Sequence, residues 1–202
     1  MRVLPAAVYF AKGSEDKMLD ALHTASAITH AHPRSMIACG LYGLLVRGLV
    51  HGLTPTEAYA QACAGGRSAY SIGGAAAESI SRVVAASSQP GQPSLQQEVR
   101  YFDRFLSGDL ASAAEDSVES GGYVVHTLEA SVWCLLTTRD FASAVIKAVN
   151  LGGDTDTTGA VTGGLAGLYY GDEAIPRDWL DALARRIDIE DLAKRFSEVV
   201  TG

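Results

Sequence analysis

Apolar side chains recur at intervals of three and four along nearly the whole chain, while the strict alternation of a half-buried strand is almost absent. The periodic segments predict helices over residues 4–11, 15–28, 33–51, 55–65, 74–87, 94–107, 122–137, 139–150, 154–170 and 177–200, the last broken near Asp188. Punctuation supports several of these. Pro33 follows His32 as an N1 proline follows a cap, Thr54-Pro55-Thr56-Glu57 reads as cap, N1 proline and first-turn acid, and Ile175-Pro176 opens the C-terminal helices. The segment Ser87-Ser88-Gln89-Pro90-Gly91-Gln92-Pro93-Ser94 is rich in turn formers and free of charge. It reads as a surface loop inside one domain spanning 1–202, because neither flank carries an independent signature. The expected fold class is all-α.

Composition sharpens this. Hydrophobic residues make up 48% of the chain and aromatic residues only 7%, so the core must be assembled largely from small aliphatic side chains packed closely. A formal charge of −7 and the absence of a Lys/Arg cluster argue against a nucleic-acid backbone as main partner. An anionic nucleotide-like ligand would have to rely on backbone donors, helix N-termini and a metal. The three cysteines, Cys39, Cys63 and Cys134, are widely separated, form no Cys-x-x-Cys pair and read as buried thiols. The opening run Val3 to Ala11 makes a poor signal peptide, no stretch reaches the length of a membrane span, and the cytoplasm is the default expectation.

The most informative run is Gly152-Gly153-Asp154-Thr155-Asp156-Thr157-Thr158-Gly159, which sets two carboxylates and several hydroxyls at a helix mouth. Two glycines permit a sharp turn, Asp154 falls where an N-cap belongs, and Asp156 and Thr157 follow within the first turn. Convergent hard oxygens suit Mg²⁺ or Mn²⁺ better than zinc. A capping role for Asp154, with Asp156 answering the helix dipole, would use the same residues. Gly159, Gly163 and Gly167 then recur at four-residue spacing, each costing about 1 kcal/mol relative to alanine in a helix. They imply a close neighbour, so residues 154–170 read as a buried central helix with its acidic end at a cleft.

Other chemistry-bearing residues are less pointed. His30 and His32 do not share a helix face, which disfavours a metal pair; His32 reads as a cap and His30 as either a ligand contact or a structural hydrogen bond. Tyr123, preceded by two glycines, could place its ring over a cleft against a ribose or base, or open an amphipathic helix as a core residue. Asn150 could approach a ligand or cap the preceding helix. His23, His51 and His126 suggest surface or core roles, and Trp133, Tyr169, Tyr170 and Trp179 suggest packing. Asp16, Asp20, Asp116, Glu119 and Asp140 are dispersed and form no second half-site.

Four segments in order, Met1-Arg2-Val3-Leu4-Pro5, Ile28-Thr29-His30-Ala31-His32-Pro33, Gly121-Gly122-Tyr123-Val124-Val125 and Ala148-Val149-Asn150-Leu151-Gly152-Gly153-Asp154-Thr155-Asp156-Thr157-Thr158-Gly159, resemble the ADP-ribosylglycohydrolases. The resemblance implies a compact orthogonal helical bundle of that family's type, matched over its C-terminal two thirds and lacking an N-terminal metal-ligand segment. It implies a hydrolase that removes ADP-ribose from a protein side chain, arginine most commonly, or from a small ADP-ribose derivative. Two Mg²⁺ or Mn²⁺ ions would be held in the complete site, with Asp154, Asp156 and Thr157 supplying half of the ligands. His30, Tyr123, Gly122, Gly153 and Asn150 would line the ADP-ribose channel. The family's reacting carboxylate belongs to the upstream segment, so no residue here inherits that role. Two further readings follow: a non-catalytic ADP-ribose-binding or structural member, and a site completed by self-association or by a complementing N-terminal segment. ADP-ribose or an ADP-ribosylated protein is the implied partner, with neither nucleic acid nor membrane.

Overall fold

The computed structural model describes residues 3–86 and 93–201, and among them there is no strand. The charge-free loop expected over 87–94 therefore lies largely outside the described residues. The helices are α1 (Leu4–Phe10), α2 (Glu15–Ala27), α3 (Pro33–Val50), α4 (Pro55–Ala69), α5 (Ala75–Ala86), α6 (Leu95–Val99), α7 (Asp103–Ser107), α8 (Val124–Leu136), α9 (Phe141–Asn150), α10 (Thr155–Tyr170), α11 (Arg177–Ala182) and α12 (Arg186–Thr201). None is long and apolar enough to cross a membrane among the described residues.

Local chemistry explains most boundaries. The Ser14 hydroxyl accepts from the Lys17 N–H at the start of α2, and the His32 ring accepts from the Arg34 N–H at the start of α3, as a cap should. Thr54 and Glu57 form a reciprocal capping box, and so do Ser94 and Gln97. Three expectations are corrected. Helix α4 runs on to Ala69, because Gly66 lies beneath the Leu41 and Leu106 side chains rather than ending the turn. The segment read as one helix over 94–107 is three pieces, with a 3₁₀ turn at Arg100–Phe102 that buries Phe102 completely. The C-terminal break falls at 183–185, where Arg185 adopts a left-handed φ of 58°, not at Asp188.

The central helix is α3, not α10. Residues all around α3 are buried, among them Met36, Ile37, Leu41, Leu44, Leu45 and Leu49, and α1, α2, α4, α8 and α10 surround it. Such all-round apolarity is what a helix with neighbours on every side requires. Helix α10 buries one face, through Thr158, Val161, Thr162, Leu165 and Ala166, and its glycine ridge does have the close neighbour its spacing implied. Gly159, Gly163 and Gly167 face Val149, Val145 and Phe141 of the antiparallel α9, one glycine to each side chain. The core is aliphatic as composition required, with Tyr70, Phe102 and Phe105 its largest fully buried side chains. Cys63 and Cys134 are buried free thiols and Cys39 is half-buried; burial pushes the Cys134 thiol up to about 12.

His23 is a core residue. Its Nδ1 lies 3.0 Å from Ser79 Oγ and its Nε2 2.9 Å from the Tyr70 hydroxyl, while the Ser79 hydroxyl donates to Asp20 at 2.8 Å. Because the serine proton is committed to Asp20, this Ser-His-Asp set is no nucleophile arrangement: the histidine donates to the serine and accepts from the tyrosine. Burial is the main cause that lowers the His23 pKa to about 4, with Asp20 opposing it. Between about pH 6.5 and 4 the unfolded chain binds a proton that the folded chain refuses. Stability is therefore fully present above pH 6.5 and falls as pH drops through that window, by about 3 kcal/mol at most. Urea unfolding at pH 7 and 4.5 should show this loss in the wild type and a smaller one in His23→Gln.

Candidate functional site

Two loops build the site, 118–123 ahead of α8 and 151–154 ahead of α10. The Ser120 hydroxyl lies 2.9 Å from the Gly152 carbonyl and 3.2 Å from that of Leu151, to which it donates, and the Asp154 N–H donates to the Ser120 carbonyl at 2.9 Å. Gly152 and Gly153 take left-handed φ values of 74° and 66°, the conformations that turn the chain sharply out of α9 and into α10. Both contact faces are stripped of side chain. A Cβ on Gly153 would stand 2.8 Å from the Ser120 carbonyl oxygen, and one on Gly122 would stand 2.7 Å from Asp154 Oδ2. Gly122 and Gly153 thus hold the two loops together and set the Asp154 carboxylate.

Asp154 occupies the N-cap position of α10 but makes no side-chain capping hydrogen bond. Its carboxyl turns instead to its neighbours. Hydrogen bonding with the Asp156 side chain, and then with the Thr157 hydroxyl, holds the Asp154 carboxyl below the usual carboxylate range. Asp156 Oδ1 accepts from the Thr157 N–H at 2.9 Å. Asp156 is exposed, while Asp154 and Thr157 are half-buried. Two carboxyls that share a hydrogen bond call for a proton or a cation between them. The donor set, two carboxylates and a hydroxyl, is hard oxygen and suits Mg²⁺ or Mn²⁺, but it covers only part of the about six oxygens such an ion takes. Among the described residues no group of three or more His, Cys, Asp or Glu side chains gathers at metal-binding spacing.

Three of the other acids are engaged elsewhere. Glu119 pairs with His126 at 2.6 Å, Asp20 with Arg82 at 2.8 Å, and Asp140 caps α9 through the Ser143 N–H. A hollow of about 450 Å³ lies beside Asp156, lined mainly by Phe141, Val145, Val149, Ile175, Trp179 and Leu180. Its apolar lining suits neither a sugar nor a diphosphate.

Tyr123 sits at the N-cap of α8, half-buried, with its ring edge-on to His126 at 4.8 Å and its hydroxyl buried without a hydrogen-bond partner. Burial pushes the phenol up and the Arg34 charge draws it down. His30 is exposed in the turn between α2 and α3, where its Nδ1 lies 3.0 Å from the Thr29 hydroxyl. Asn150 is the exposed last residue of α9, and Leu151 takes the cap position.

Sequence reasoning missed a charged anchor beside Tyr123. Arg34 binds the buried Glu98 through Nε at 2.6 Å and Nη2 at 3.0 Å, and its Cζ stands 3.6 Å from the centre of the Tyr101 ring and 5.6 Å from that of Tyr123. One signal was available: an arginine in the first turn of α3 opposes the helix dipole and so calls for an acid from elsewhere.

A family model described as ADP-ribosylglycohydrolase matches residues 1–202. The chain is 28% identical over 196 residues to the ADP-ribosylarginine hydrolase Tri1 of Serratia proteamaculans, which covers 97% of this chain and 44% of that protein. It is 42% identical over 72 residues to the ADP-ribosyl-[dinitrogen reductase] glycohydrolase of Rhodospirillum rubrum, covering 36% of this chain and 24% of that protein. A solved structure titled ADP-ribosylglycohydrolase-related protein complex superposes with a TM-score of 0.70 at 28% identity, over 96% of this chain and 57% of its own. The chain thus spans less than half the length of these two curated relatives.

Proposed function

The chain belongs to the ADP-ribosylglycohydrolase family, and on that premise we propose that it acts on ADP-ribose joined to a protein side chain, arginine first, by hydrolysing the bond at C1 of the ribose. In that reaction water supplies the oxygen that stays on C1 and the proton that leaves with the guanidine. The observation that carries the reading is the gathering of Asp154, Asp156 and Thr157 at the start of α10, beside the loop that leads to Tyr123. A divalent ion held by these three oxygens would supply Lewis-acid polarisation and a template for the ribose hydroxyls and water.

The chain's own residues do the positioning. Ser120 clamps the turn that aims Asp154, while Gly122 leaves room for its carboxylate. Thr157 holds Asp156 through its N–H, so the two acids present oxygens in fixed relation. Tyr123, one residue beyond Gly122 at the N-cap of α8, stands with its ring beside Arg34. A specific observation favours a second reading, non-catalytic ADP-ribose binding: no third acid joins the pair among the described residues.

Incubation with ADP-ribosylarginine separates the two. Release of arginine that requires Mg²⁺ or Mn²⁺ is the expected result. ADP-ribose binding without release would favour the binder, and neither binding nor release would overturn both.

A further inference from the structure

Helix α12 and the apolar hollow beside Asp156 are complementary surfaces. In α12, Ile189, Leu192, Ala193, Phe196, Val199 and Val200 recur at three- and four-residue spacing and form one apolar stripe along the helix. Left in water, such a stripe is unfavourable. Here Ile189, Leu192 and Val199 are 50%, 60% and 65% exposed, and no side chain from Arg186 to Val200 is buried. The hollow of about 450 Å³ lies between α9, α10 and α11, where Val149, Trp179, Leu180 and Leu183 help to line it. The chain's own α12 does not seat there. It leaves α11 through residues 183–185, and its last turn reaches Lys12, just beyond α1, whose ammonium donates to the Val200 carbonyl at 3.3 Å.

The chemistry of α12 narrows its partner. Its polar side carries both signs, paired within the helix as Arg186 on Glu190 and Arg195 on Asp191, so it offers no excess of positive charge to an anionic membrane or a nucleic acid. The stripe needs an apolar groove on a protein. Each copy of the chain carries one such helix and one such groove, so two copies related by a two-fold axis can cover both at once. Area decides between a single and a reciprocal contact. The 16 residues of α12 span about 24 Å, and one face of such a helix offers about 400 Å². One helix in one hollow therefore buries about 800 Å² in total, the scale of a chance contact, whereas two reciprocal dockings bury about 1,600 Å², the size of a stable interface.

We propose that the chain pairs with a second copy of itself, each copy laying its α12 across the hollow between α9, α10 and α11 of the other. Thr155 and Asp156 stand at the rim of that hollow, so the seated helix borders the acid pair. Sedimentation of the whole chain from about 1 to 100 μM should show a monomer giving way to a dimer. Leu192→Glu on the helix and Val149→Glu in the hollow should each raise the dissociation constant about tenfold or more, because each places a charge in the buried contact. Both positions are exposed in the single chain, so melting temperatures near that of the wild type separate lost pairing from lost fold. An equimolar mixture of the two variants should pair at concentrations where neither does alone, since one intact helix then meets one intact hollow. A wild type that stays monomeric overturns the pairing, and a fall in its melting temperature on Leu192→Glu would assign the stripe to its own chain. A dimer whose dissociation constant changes by less than about twofold in Leu192→Glu, or variants that fail to pair when mixed, overturns the hollow as the seat of the helix. Oligomers that keep growing past the dimer overturn the reciprocal closure.

Discussion

Asp156→Asn should weaken Mn²⁺ or Mg²⁺ binding by about a hundredfold or more and leave the helical fold nearly unchanged. The charge change removes one of two adjacent anions, while the amide oxygen can still accept from the Thr157 N–H, the one hydrogen bond of this side chain with a settled geometry. Asp156 is exposed, so no buried partner is orphaned and the melting temperature should stay close to that of the wild type. The neighbouring acid gives an internal check. The replacement amide removes a like charge beside Asp154 and can itself donate to that carboxylate, so the Asp154 carboxyl should stay below the usual carboxylate range in the variant when followed by NMR. Calorimetric titration with Mn²⁺ decides the main point. Equal affinity in wild type and variant, or no ion bound by the wild type at millimolar concentration, removes the metal assignment.

The cluster at 154–157 could be seen in the sequence because its members are neighbours, brought together by one helical turn that needs no distant partner. The same locality made the caps at His32 and Thr54 readable, since each is a short-range bond between a side chain and the next turn. What failed was long-range. Glu98 stands 64 positions from Arg34, and no spacing rule joins them. Ser120 was invisible because its role is to touch carbonyls 31 and 32 positions away. The glycine spacing of α10 correctly implied a close neighbour, yet it could not say that the neighbour is α9 on one flank or that α3 occupies the centre. The break into three pieces at 94–107 follows from burying Phe102 and Phe105 against the other helices, an influence that local periodicity does not carry.

Gly153→Val should be the most damaging single change near the site, lowering stability by about 4 kcal/mol and abolishing divalent-ion binding with it. Three costs add at this position. A β-branched residue is forced into a φ of 66°, which costs about 1–2 kcal/mol for an ordinary L-residue and more for a branched one. Its Cβ would meet the Ser120 carbonyl oxygen at 2.8 Å, and backbone cannot swing aside as a side chain can. Moving Ser120 away then strains the bond from the Asp154 N–H and the bifurcated one that the Ser120 hydroxyl donates to the Leu151 and Gly152 carbonyls, each worth about 1 kcal/mol. Gly152 provides the contrast. It is also left-handed, at a φ of 74°, but a Cβ there meets nothing within 4 Å, so Gly152→Ala should cost only the backbone share of about 1–2 kcal/mol. Ion binding should survive in Gly152→Ala, because the contact between the loops is kept. Urea unfolding and Mn²⁺ titration of the two variants side by side test whether the loop contact, and not the left-handed turn alone, aims Asp154: equal losses in both would show that the turn is all that matters.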